Sequence, residues 1–283
     1  MILKVSVPSV EIKYPKPVKF VVYVNTVTIK WQKGNIKAIP YQIEHNVSLK
    51  EYYTLRLNLS FKLMININQD NIRFENREAA AVLLVNELKK IIDKKDYPIT
   101  VLAIPRGGIV LGDIIASSLN VKLDIIISKK IGSPDNTELA IGAVTHDGSF
   151  FPNQDIIEKL GISQEYIKKQ TSSKVKEIET RLNKFRADDS YDLKNNTIIL
   201  VDDGIATGAT TFAAIKWLRN QNPKKIILAV PVAPRDTANL ISKLVDKTII
   251  LSTPLIFFAV GEFYQNFSEV TDNQVLDIMS KYR

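Results

Sequence analysis

The chain has 283 residues, 45% of them apolar and 24% charged, which suits one large or two modest domains with a globular core. It contains no cysteine, and this excludes disulfides, thiolate metal sites and cysteine nucleophiles. The net charge of +8 invites a nucleic-acid reading, but residues 1–63 hold nine Lys and Arg56 against only Glu11, Glu44 and Glu51, so the rest of the chain is nearly neutral.

Residues 1–63 differ from the rest in more than charge. They contain no Asp, one Gly (Gly34) and one Ala (Ala38). Alternating, β-branched stretches at 20–31 and 53–63 predict strands, and Gly34-Asn35 suits a hairpin turn. A small β-rich appendage is one expectation. The other is a polypeptide that starts at Met64, because Met64 stands just before a helix-leading sequence. The first residues, MILKVSVPSVEIKYPKP, lack a basic segment followed by a long apolar run, and no stretch reaches membrane-span length. A cytoplasmic protein with no membrane partner is expected.

From Met64 onward helices and strands alternate. Leu84, Leu88, Ile91 and Ile92 share one face of a helix over 73–94. An apolar strand at 99–104 leads into Pro105-Arg106-Gly107-Gly108, then a helix through Leu119 and a strand at 123–128. A long polar loop is expected over 129–149. Val175, Ile178, Leu182 and Phe185 stripe a helix over 163–186. A strand follows at 197–203, a helix to about Asn220, a strand at 225–232, a helix at 236–244 and a strand at 247–251. This order predicts an α/β fold, a parallel sheet with helices on both faces.

Ligands of such sheets bind beyond the carboxyl ends of the strands, so the loops at 105–108, 129–149 and 204–210 should converge. The most informative is the last. Residues 201–211 read VDDGIATGATT, directly after Ile198-Ile199-Leu200. Asp202 and Asp203 at the end of a buried strand can accept hydrogen bonds from vicinal sugar hydroxyls. Backbone N–H groups and hydroxyls of Ala206-Thr207-Gly208-Ala209-Thr210 can hold a phosphate where a helix begins. No Gly-Lys-Ser/Thr follows, so this is not the ATP-type P-loop, nor is it a GxGxxG dinucleotide turn. Gly107 and Gly108 let N–H groups approach an anion, and the Arg106 guanidinium suits phosphate oxygens.

VDDGIATGATT resembles the phosphoribosyl-diphosphate (PRPP) motif of type I phosphoribosyltransferases. PRGG at 105–108, a lysine followed by IGxP at 130–134, ELAIGAV at 138–144 and PxxFxAVGxFYxxF at 254–267 resemble a group assigned to that family. The resemblance covers nearly all of 64–283 and none of 1–63. It implies a Mg2+-dependent enzyme that transfers ribose 5-phosphate from PRPP to a nitrogenous base, with homo-oligomerisation expected. Asp202 and Asp203 would hold the ribose hydroxyls, with the metal reached through water, and Ala206, Thr207, Gly208, Ala209 and Thr210 would hold the 5-phosphate. Arg106, Gly107, Gly108, Lys129 and Lys130 would take the pyrophosphate, with a non-proline cis peptide expected around Arg106-Gly107. The 129–149 loop would be a lid. A hood element at about 252–283 would offer Phe258, or else Phe257, to the base. The hypoxanthine–guanine enzymes carry a proton-handling Asp where this chain has Ala206, and DD-x-x-ATG resembles the adenine enzyme more closely. Glu262 is a further carboxylate near the hood. His146 reads as a surface histidine, and His45 has less claim to a role. The alternative is a PRPP- or nucleotide-sensing regulator on the same fold, with residues 1–63 as a nucleic-acid arm.

Overall fold

A computed structural model describes residues 72–186 and 191–282, together with the backbone of three strands near the N-terminus. The chain divides into two compact units, Met1–Lys62 and Leu63–Arg283. In the first, β1 (Val21–Val24), β2 (Val27–Gln32) and β3 (Asn35–Pro40) form an antiparallel sheet in that order. Val24 pairs with Val27 and Gln32 with Asn35, so the stretch over 20–31, expected to form strand, contributes to two. Their β-branched content favours this form. Asn35 opens β3, while Gly34, His45 and the strand expected at 53–63 lie outside the described residues.

The second unit begins with α1 (Arg77–Ile91), capped by Asn76, whose side chain accepts from Ala79 N. The helix starts four residues later than its apolar stripe suggests. Phe74 is instead bridged to Tyr264: Phe74 N donates to Phe263 O (2.8 Å), and Gln265 N donates to Phe74 O (2.8 Å). Then come β4 (Ile99–Ala103), α2 (Gly108–Leu119) and β5 (Lys122–Ile125). The long polar loop expected at 129–149 is largely a small antiparallel sheet of β6 (Ser128–Gly132), β7 (Ala140–Thr145) and β8 (Phe150–Pro152). Ile131, Ile141, Ala143 and Val144 are buried there, an apolar content that the lysines and turn residues around it mask. α3 (Gln154–Leu160), a short helix not expected from the sequence, precedes α4 (Gln164–Phe185), capped by Ser163. β9 (Thr197–Val201), α5 (Ala209–Asn220), β10 (Lys225–Val232), α6 (Arg235–Ser242) and β11 (Lys247–Ser252) follow. A 3-10 turn at Val260–Phe263 and α7 (Asp272–Ser280) complete the chain.

Five strands form the main sheet in the order β11-β10-β9-β4-β5, every pair parallel. The period of two in a strand sends alternate residues to opposite faces. Val101, Ile199 and Ile227 pack with Leu84, Leu88 and Ile115 on one face. Leu102, Ile198 and Leu228 pack with Ala214, Leu218 and Ile241 on the other. Helices therefore cover both faces, as the run of elements predicts. The chain leaves β4 towards β5 but leaves β9 towards β10, in the opposite direction. The loops after β4 and β9 part at this switch point and open the crevice in which such sheets bind ligands.

Candidate active site

β9 is fully buried and ends at Val201, so Asp202 and Asp203 emerge at its carboxyl end, beyond the last ladder residue. Asp203 N donates to Asp202 Oδ1 (2.8 Å). Burial, then the charge of Asp203, pushes the Asp202 carboxyl well above its usual range, and the Asp203 N–H opposes them. The loop after β4 lies directly against this pair. A Cβ on Gly107 would fall 1.8 Å from Asp203 Oδ2, and one on Gly108 would fall 2.9 Å from Val201 O. Both glycines are required by close approach, since Gly107 has ordinary helical angles (φ −61°, ψ −42°). The non-proline cis bond expected at Arg106-Gly107 lies one position earlier, at Pro105-Arg106.

After Asp203 the chain turns through Gly204, Ile205, Ala206 and Thr207 to Gly208, whose φ of +78° is the left-handed conformation that glycine adopts without strain. Gly208 is the residue before α5, and its carbonyl accepts from Phe212 N (2.7 Å). The N–H groups at the start of the helix have no partner within it and are free to meet an anion. Ser128 Oγ donates to Thr210 O (2.9 Å), which ties the root of β6 to this turn.

A cavity of about 300 Å³ is lined by Asp202, the loop from Gly204 to Thr211, Lys130, Glu138 and Val260. Ala206, Thr207, Gly208, Ala209 and Thr210 are thus together on one wall. Lys130 reaches it, paired with Glu138 (2.7 Å). Lys129, its neighbour on β6, points the other way to Glu177 of α4 (3.0 Å) and is not among the lining residues. Arg106 is paired with Glu269 and lies 3.7 Å from Asp272 Oδ1. Each expected diphosphate-binding cation therefore already faces a carboxylate.

The hood meets the cavity through Val260. A Cβ on Gly204 would fall 2.4 Å from Val260 Cγ1. Phe258 is 80% exposed and outside the lining set, and Phe257 stacks on Phe263 with ring centroids 5.2 Å apart. Glu262 is exposed and does not line the cavity, while its backbone carbonyl accepts from Arg73 Nε (3.0 Å). His146 is not a surface histidine. It is partly buried in an aromatic cluster, 4.8 Å from the Trp217 ring and 5.1 Å from Tyr191.

Arg77 was not legible as a site residue. It is 8% exposed, and its Nε donates to Asp203 Oδ2 (2.8 Å) while Nη1 donates to Ser268 O (2.7 Å). Its guanidinium lies 3.8 Å from the Phe267 ring centroid. Tyr264 OH donates to Asp203 O (2.6 Å). Nothing local marks Arg77, because its partners lie 126 and 191 residues away in sequence.

A parallel sheet with paired carboxylates and a small-residue turn at its switch point defines an open α/β domain with its polar crevice at the carboxyl ends of the strands. The phosphoribosyl transferase domain family matches residues 75–265, and the chain belongs to it. Proteins from two strains of Mycobacterium tuberculosis, provisionally named phosphoribosyl transferases, are 33% identical over 209 residues, 74% of this chain and 46% of theirs. The chain thus spans about half the length of the curated relatives it matches. The crystal structure of TT1426 from Thermus thermophilus is 31% identical, with a TM-score of 0.64 over 75% of this chain and 99% of that one. Among the described residues, no helix is long and apolar enough to cross a membrane, and no group of three or more His, Asp or Glu side chains forms a metal cage.

Proposed function

We propose that residues 64–283 transfer ribose 5-phosphate from PRPP to a nitrogen of a base and release pyrophosphate. The observation that carries this reading is the meeting of Asp202 with the Gly208-led helix start on one cavity wall. In the reaction the bond from the anomeric carbon to the diphosphate oxygen breaks, a carbon–nitrogen bond forms, and the acceptor nitrogen loses a proton. Positive charge develops on the sugar and negative charge on the leaving group. No protein nucleophile is needed, so positioning and electrostatics supply the catalysis.

Asp202 and Asp203 accept hydrogen bonds from the ribose hydroxyls. The N–H groups and threonine hydroxyls of the 206–210 loop hold the 5-phosphate. Arg106, the Gly107 backbone and Lys130 take the diphosphate once the resident carboxylates yield, with Lys129 behind them, while the Gly108 N–H already donates to Ile104 O (3.1 Å). The donor set suits Mg2+, which keeps several waters and binds through one or two carboxylates plus substrate phosphates. Asp202 and Asp203 would hold it through water, and when bound it neutralises charge on the leaving diphosphate.

Ala206 puts a methyl group on the cavity wall and cannot take a proton. This argues against an acceptor whose reaction depends on a carboxylate at that position and keeps an adenine-like base among the candidates. PRPP consumption and pyrophosphate release, measured against purines, pyrimidines and other nitrogen acceptors, test the proposal. Release with one acceptor class is expected. Release with none overturns it.

A further inference from the structure

We infer that Arg77 is a positioning residue for Asp203, locking that carboxylate and the hood into one unit. The inference rests on the reading of Asp203 as a ribose-binding group. The guanidinium uses three features at once: Nε on the Asp203 carboxylate, Nη1 on the Ser268 carbonyl and its flat face on Phe267. A lysine ammonium carries the same charge but cannot reproduce that fork and stack.

The side chains of Arg77 and Asp203 are 9% and 14% exposed. A pair at this depth contributes little to stability compared with an apolar replacement, because both ions must be desolvated. Its geometry has a clearer consequence. Nε holds one oxygen of Asp203 and so restrains that carboxylate beside Asp202, the member of the acidic pair that lines the cavity. Tyr264 OH grips the backbone carbonyl of the same residue. Tyr264 is also the residue bridged to Phe74, three positions before Arg77, and its ring stacks on Phe267 at 4.9 Å. Segment 74–77, hood segment 263–268 and the acidic turn are therefore mutually fixed. A shift of the hood is felt at the sugar-binding carboxylate.

Binding affinities of PRPP, ribose 5-phosphate and inorganic pyrophosphate, each with Mg2+, separate positioning from a general structural role. They are measured by calorimetry on the full chain and its variants, with thermal melting alongside. Arg77→Lys should weaken PRPP and ribose 5-phosphate by about tenfold, the scale seen when a group that orients a ligand is disturbed. Pyrophosphate, which has no ribose hydroxyls, should change by less than about twofold, well under the 1.4 kcal/mol that a tenfold change represents. Phe267→Leu, which keeps the charge and removes the ring, should give the same pattern at about a third of the size and serves if Arg77→Lys does not fold. Equal losses for all three ligands, or no loss, would overturn the inference while leaving the donor site intact. Failure of the unmutated chain to bind PRPP would remove the donor-site reading, and this inference with it.

Discussion

The acidic turn after β9 and the hairpin of β6 and β7 face the same cavity but are held in opposite ways. The turn is rooted in the most buried strand, pressed by Gly107 and Gly108, gripped by Arg77 and Tyr264, and aimed by Gly208. The hairpin tip is held mainly by its own groups, with one tie to α4 where Tyr166 OH donates to Gly132 O (3.0 Å). Ser133 N donates to Leu139 O, Ser133 Oγ donates to Asn136 O, and the Lys130–Glu138 pair lies at the surface. An exposed pair of this sort is worth about 0–1 kcal/mol, so it exchanges readily for a ligand. Under the proposed function, the turn takes the ribose 5-phosphate and the hairpin takes the diphosphate that leaves.

The fixed half should show the largest effects. Asp202→Asn/Asp203→Asn removes the ion-paired Asp203 carboxylate, a charge-assisted acceptor worth about 1.5–3 kcal/mol, together with the Asp202 carboxyl beside it, so kcat/KM for PRPP should fall by about a hundredfold or more. A PRPP turnover assay that finds the double variant within tenfold of the unmutated protein breaks the comparison at its centre. Gly107→Ala comes next. Its Cβ has no room beside Asp203, so the two loops must separate, and PRPP affinity should fall by about 10- to 100-fold with an overpacking cost of about 1–3 kcal/mol. Gly148→Ala, between β7 and β8, is the contrast: at φ +80° with no atom within 4 Å, it should cost about 1 kcal/mol in thermal unfolding and leave PRPP affinity alone.

The same contrast explains what the sequence could reveal. The turn is built from neighbours in the chain, so VDDGIATGATT displays its acids, its small residues and its helix start within eleven positions. The parallel sheet was legible because apolar runs alternate with amphipathic helices. The hairpin was hidden because Lys129, Lys130, Pro134 and Asp135 mask the apolar Ile131 and Ile141, although the buried residues are what set its form. The site's longest-range members could not be read at all. Arg77 belongs to the carboxylate only through a hood that folds back from the far end of the chain, and the Phe74–Tyr264 bridge that brings it there overrides a helical start at residue 73. Phe258 drew attention by its chemistry, but Val260 is the hood side chain at the cavity.

The hairpin half should respond in both directions. Lys130→Ala should lower kcat/KM for PRPP by about tenfold through loss of a diphosphate contact. Glu138→Gln frees Lys130 and should tighten PRPP by about two- to fivefold, with stability within about 0.5 kcal/mol of the unmutated chain. Raising salt should narrow the difference, since the pair is exposed. Weaker PRPP binding in Glu138→Gln would show that the carboxylate assists the substrate and does not compete with it.

The smallest effect tests where the hairpin half ends. His146 follows β7 directly and is packed against Trp217 of α5 and against Tyr191, which fastens the root of the hairpin to the helix that opens after Gly208. Its Nδ1 is buried and has no hydrogen-bond partner among the described residues. Burial holds its pKa below the usual 6.5, with Asp147 opposing and Arg186 adding to the shift. In the unfolded chain the imidazole regains its ordinary value, so between that value and the lowered one the unfolded state binds more protons. This contribution to stability is complete above about pH 7 and falls as acid is added through about pH 6.5. Asp202, with its raised pKa, acts with the opposite sign, so only a difference between proteins isolates the histidine. His146→Phe keeps an aromatic ring in the cluster and removes the titration. Thermal midpoints from pH 7.5 to 5.5 should therefore fall less steeply in the variant, while its KM for PRPP at pH 7.5 stays unchanged because the tip is untouched. An equal slope would remove His146 as the titrating group. A changed KM would mean that the root and the tip act together and that the boundary between the two halves lies beyond β7.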